Sequence, residues 1–102
     1  MEQLIKTHLA EVGQLCRRFH VRRLDLFGSA ARGDFDPDRS DIDFLVEFEE
    51  DAPGSAFDGY FGFKFALEAL LGRPVDLVMS GAIENPYVLA SIERTREKVY
   101  AT

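Results

Sequence analysis

Residues 41–48, Asp-Ile-Asp-Phe-Leu-Val-Glu-Phe, constrain the fold more than any other stretch of the chain. Ile42, Phe44, Val46 and Phe48 recur every second residue, the period of a β-strand with one face buried. Asp41 and Asp43, two apart, share the opposite face. A strand seated on a core therefore presents two carboxylates from a stiff support. Side by side, such groups repel unless a cation lies between them. Downstream, Val75-Asp76-Leu77-Val78-Met79 reads as a second strand, with Val75, Leu77 and Met79 on one face and Asp76 on the other. A lone acid in an apolar strand is costly unless exposed, paired or bound to a cation. Asp76 is thus the natural third carboxylate.

The rest of the chain supplies a frame for these strands. Residues 2–19 carry Leu4, Ile5, Leu9, Val12, Leu15, Cys16 and Phe19 at helical spacing, and His8 borders that stripe without needing a functional role. Residues 21–27 alternate as a strand with Leu24 and Leu26 inward and Asp25 outward beside Arg23, which predicts a surface ion pair. At Gly28 the chain must turn sharply, and the missing Cβ allows close approach of a ligand. Ser29 opens a short helical segment, 29–32, stopped by Gly33. Its free amides and hydroxyl suit a phosphate. Residues 34–40 form a polar loop around Pro37, and 49–56 an acidic connection.

Residues 57–71 predict a second long helix whose apolar face is Tyr60, Phe63, Ala66, Leu67, Leu70 and Leu71. Phe61 and Phe65 fall on the other side, either as a surface for another protein or as rings covered by the C-terminal segment. The last helix has Asn85 as its cap, Pro86 in its first turn and a stripe of Val88, Ile92, Thr95 and Val99. Tyr87 and Tyr100 read as structural.

At 102 residues the chain suits one compact domain, 1–102, rather than two cores. The net charge of −6 is uneven: residues 33–58 hold ten acids against one base, whereas residues 1–32 hold six bases against three acids. Such an acidic centre attracts divalent cations and repels a nucleic-acid backbone, so direct nucleic-acid binding is not expected. No apolar run is long enough to span a bilayer, which with the absence of a signal-peptide pattern predicts a cytoplasmic protein. Cys16, the only cysteine, lies on the apolar stripe and is expected to be a buried thiol.

Phe27-Gly-Ser, Ser40-Asp-Ile-Asp-Phe-Leu-Val, Val75-Asp-Leu-Val and Asn85-Pro together resemble the minimal nucleotidyltransferases of the polymerase-β superfamily. Within them the chain looks like the MntA-type antitoxins paired with HEPN-domain ribonuclease toxins. Eleven residues separate Ser29 from Asp41, one more than the family most often has. A longer surface loop costs little. The resemblance implies an α/β (α+β) fold with a polymerase-β-like core, a small mixed sheet packed by helices. It implies that Gly28 and Ser29 hold the phosphates of ATP, the donor, with Arg32 as a candidate to neutralise their charge. Asp41 and Asp43 would bind two Mg²⁺ ions, and Asp76 would complete the site of the ion that activates the acceptor hydroxyl. The implied reaction transfers AMP to a tyrosine of a HEPN toxin, within a hetero-oligomer of the two proteins. Two other readings stand beside it: an antitoxin acting by contact alone through Phe61 and Phe65, and transfer to a small molecule, which the lack of a substrate-holding domain disfavours.

Overall fold

The computed structural model describes residues 3–28, 31, 41–50, 52 and 54–102. Ser29, Arg32 and the expected loop 34–40 lie outside the described residues. The elements run α1 (Gln3–Thr7), α2 (Leu9–Arg18), β1 (Val21–Phe27), β2 (Ile42–Phe48), α3 (Ala56–Leu71), β3 (Val75–Met79), a 3₁₀ turn (Ser80–Ala82), α4 (Pro86–Thr95) and β4 (Glu97–Ala101). The strands form one mixed sheet in the order β3-β2-β1-β4. Its centre pair, β1 and β2, is antiparallel, as is β1 with β4, whereas β3 runs parallel to β2.

The alternation that defines β2 also sorts the two faces of the sheet. Leu24, Leu26, Ile42, Phe44, Val46, Val75 and Leu77 are buried in one cluster with Ile5, Val12, Cys16, Phe63, Leu67 and Leu71 from the helices. Full burial of side chains of this size contributes about 1.5–3 kcal/mol each. Among them is Cys16, whose thiol burial pushes up to about 12, with Arg17 opposing only weakly. The expected inert thiol is what the fold contains. The opposite face is covered only in part, by α4, whose Ile92 is buried.

Three expectations change. The single N-terminal helix is two, broken at His8. The His8 amide bonds Ile5 O three residues back (3.1 Å), and the imidazole Nδ1 donates instead to Leu4 O (2.9 Å), the carbonyl a continuous helix would give to that amide.

The last helix stops at Thr95, and residues 97–101 become β4, so Val99 belongs to a strand. Its partner is the free side of β1, and pairing there outweighs a helical pattern that was weak after Thr95. Tyr100 packs against the core as expected.

Asp25 is the third. It is no surface pair but wholly buried, 0% exposed. Arg23 Nε donates to both its oxygens, at 3.2 and 3.0 Å, and Arg96 Nε donates to Oδ2 at 2.9 Å. Arg96 Nη2 reaches the same oxygen, and Nη1 holds Glu93 at 2.5 Å. Breaking such a buried pair on one side typically costs about 3–5 kcal/mol.

Candidate active site

Strand β1 delivers the chain to Gly28, whose φ of +71° is a left-handed conformation that glycine adopts without strain. The Ala31 amide donates to Gly28 O (3.2 Å), which closes the turn. Opposite this end of β1, Phe27 pairs with Asp43 in the antiparallel ladder. The Asp43 carboxylate consequently lies over Gly28: a Cβ built there would stand 2.4 Å from Asp43 Oδ2. The turn and the carboxylate form one unit.

On its other side β2 pairs with β3, and in that parallel register Asp43 is the partner of Asp76. Register partners on neighbouring strands share a face and sit about 4.8 Å apart along the hydrogen-bonding direction. Asp43 is half-buried and Asp76 exposed, while Asp41 is exposed one residue ahead of β2. The fold thus brings Gly28, Asp43 and Asp76 together on one face. Among the described residues, no three His, Cys, Asp or Glu side chains are grouped so as to hold a metal ion.

Helix α3 fixes the strand that carries Asp76. Tyr60 Oη donates to Leu77 O, and Glu68 Oε2 accepts from the Val75 amide at 2.9 Å, so both neighbours of Asp76 are tied to one helix. The Val75 amide, and to a lesser degree Lys64 at 3.2 Å, hold the Glu68 carboxyl below its usual range against the opposing effect of burial.

Between Gly28 and α4 lies an open cleft of about 470 Å³, lined by Phe27, Gly28 and Asp43 on the sheet side and by Tyr87, Val88, Ser91, Ile92 and Thr95 on the helix side. Its size is that of small-molecule sites in general. Tyr87, read from the sequence as structural, is 84% exposed at this cleft. The stripe of Val88, Ile92 and Thr95 gave the one sequence signal for this wall, but it did not say which surface the stripe would face. Asn85 accepts from the Tyr87 and Val88 amides (2.9 and 3.4 Å), so the first turn of α4 is already capped.

Phe61 and Phe65 lie outside the cleft. Phe65 is 58% exposed and Phe61 half-buried. The rings of Phe57, Phe61 and Phe65 follow one another along α3 at centroid distances of 4.7 and 5.9 Å.

A profile of the nucleotidyltransferase domain matches residues 11–99. Protein adenylyltransferase MntA of Thermococcus cleftensis is 39% identical over 85 residues, spanning 83% of this chain and 79% of that protein. A solved structure provisionally described as a minimal nucleotidyltransferase superposes with a TM-score of 0.77 at 33% identity, covering 95% of both chains. The MNT antitoxin in complex with a tri-AMPylated HEPN toxin, from Shewanella oneidensis, shares the fold at 17% identity, with a TM-score of 0.65 over 96% of this chain and 73% of that one. With the family matched over most of its length, and with the turn and acidic strands that the fold brings together, this chain belongs to the nucleotidyltransferase-domain family, of the minimal MNT type, and is a nucleotidyltransferase.

Proposed function

We propose that the chain is a Mg²⁺-dependent protein adenylyltransferase that transfers AMP from ATP to a tyrosine hydroxyl of a HEPN-domain toxin, acting as its antitoxin. The observation that carries this reading is the register pairing of Asp43 with Asp76 beside the Gly28 turn, at the mouth of a nucleotide-sized cleft. The names of the relatives point the same way: one is a protein adenylyltransferase, and a protein of this fold is an MNT antitoxin bound to an AMPylated HEPN toxin.

The donor set suits magnesium, since Asp43 and Asp76 offer only oxygen from adjacent strands and Asp41 stands exposed nearby. Asp41, Asp43 and Asp76 would hold the two ions, which supply charge stabilisation at the attacking and leaving oxygens. The protein's own part is positioning. Gly28, with Ser29 and Arg32 beyond it in sequence, receives the triphosphate on the side of the turn that opens to the cleft. The acceptor oxygen attacks the α-phosphorus, forming a new P–O bond as the bond to pyrophosphate breaks, and Asp76 takes the hydroxyl proton. The test is transfer of label from α-phosphate-labelled ATP to a co-purifying toxin. Labelled protein supports the reading, and none, with ATP and magnesium present, overturns it.

A second reading, neutralisation by contact alone, is favoured by one observation. The exposed rings of Phe57 and Phe65 continue into an apolar hollow of about 300 Å³ lined by Phe57, Tyr60, Phe61 and Met79. Met79 lies three residues from Asp76, an odd separation that puts the two side chains on opposite faces of β3. A toxin seated on these rings is therefore on the α3 side of the sheet, away from the carboxylate face, which serves the contact reading. Phe65→Asp is expected to weaken the toxin complex about tenfold or more, as loss of an aromatic anchor does. An unchanged Kd by titration of the purified partners removes Phe65 from the interface.

A further inference from the structure

Helix α4 forms one whole wall of the cleft, yet little holds it to the sheet. Ile92 is its one buried side chain among the described residues. Its C-terminal end is tied in two ways: Glu97, which follows Arg96, opens β4 opposite Leu26 of β1, and Arg96 adds a side-chain contact. Arg96, the residue that caps α4, reaches across to Asp25 in the middle of β1, and the same guanidinium is braced from behind by Glu93. Asp25 is two residues from Phe27, and Thr95 directly precedes Arg96, so each end of the pair lies within two residues of one lining the cleft. Arg23 supplies the second contact to Asp25 from its own strand. Arg96 brings Nε and Nη2 to the one oxygen Oδ2, and Arg23 shares Nε between both oxygens, so charge-assisted bonds from two guanidiniums hold the buried carboxylate. Although burial works against the charge on Arg96, the carboxylates of Asp25 and Glu93 outweigh it and hold its pKa above the ordinary value. The Arg96 end of the clamp is thus charged throughout the working range of pH.

We propose that the Asp25–Arg96 pair is a positioning element that sets the width of the nucleotide cleft by fixing α4 against β1. The inference rests on the reading that this cleft receives ATP. Neither residue lines the cleft, so neither touches the donor. The pair acts through Ser91, Ile92 and Thr95, which follow wherever the end of α4 is held. Loosening the clamp leaves the carboxylates of β2 and β3 in place, and it weakens nucleotide binding rather than the chemical step.

Arg96→Lys keeps a positive charge beside Asp25 but loses the planar two-point contact. Because Arg96→Gln leaves the buried Asp25 carboxylate with Arg23 in place of two guanidiniums, the double variant Asp25→Asn with Arg96→Gln, which removes both charges of the pair, is the companion. Steady-state transfer to the toxin, measured against ATP concentration, is expected to show KM raised about tenfold in the double variant and severalfold in Arg96→Lys, with kcat within about twofold of wild type. Thermal melts of the same samples report the folded fraction. If the pair is merely structural, kcat falls with the folded fraction and KM for ATP stays at the wild-type value, which overturns the proposal. Equal KM in Arg96→Lys and wild type, both fully folded, overturns it as well. A wild-type protein showing no saturable dependence on ATP is a different failure: it removes the ATP reading of the cleft, and the proposal with it.

Discussion

Gly28→Ala is expected to lower the rate of nucleotidyl transfer about 100-fold, while the protein still folds. The added Cβ would stand 2.4 Å from Asp43 Oδ2, closer than real Cβ atoms come to a neighbour. Relief comes at the lightest movable group, the carboxylate, which swings away from the turn. Displacing a reacting or metal-binding group by about 1 Å is enough to cost about 100-fold in rate. The left-handed backbone at Gly28 adds a penalty of about 1–2 kcal/mol for any L-residue, so a modest fall in Tm accompanies the loss. The measurement is kcat/KM together with a thermal melt. An alanine variant with wild-type kcat/KM shows that the contact of Asp43 with the turn has no part in catalysis.

Asp43→Asn is the complementary change, expected to abolish transfer, with a loss on the order of 1,000-fold or more. Asparagine has nearly the same shape, so the packing over Gly28 and the Phe27 and Asp76 pairings persist. What disappears is one of the three negative charges, Asp41, Asp43 and Asp76, proposed above to hold the cations. Labelling from α-phosphate-labelled ATP reads the activity, and circular dichroism reads the fold. Undiminished labelling by a folded Asp43→Asn protein removes the catalytic role of the residue. Should the toxin nevertheless be neutralised in cells by a labelling-deficient variant, contact alone suffices for that effect.

The parts of this site that sequence revealed are those set by local alternation. Ile42, Phe44 and Val46 leave Asp43 only one face to occupy, and Val75 and Leu77 do the same for Asp76. That the two strands would be neighbours, with these acids in register, is a matter of chain topology that alternation only permits. Where several remote groups act together, local pattern misled. Asp25 looked like a surface residue because its decisive partner, Arg96, is 71 residues away. The break at His8 depends on a side-chain hydrogen bond to Leu4 O that no periodicity records. Residues 97–101 form a strand because β1 offers a free edge, and Tyr87, in the first turn of α4, lines the cleft together with Gly28 and Asp43 from the sheet, a placement no local pattern records. Gly28 falls between these cases. Its turn was legible as a glycine beside a serine, but the carboxylate that forbids a side chain there comes from another strand.

The intact mass of a HEPN toxin co-expressed with this protein tests the adenylyltransferase claim most directly. Wild-type protein is expected to raise the toxin's mass by one or more AMP units, and Asp43→Asn to leave it unmodified. A toxin that is neutralised by the wild-type protein with no change in mass contradicts it.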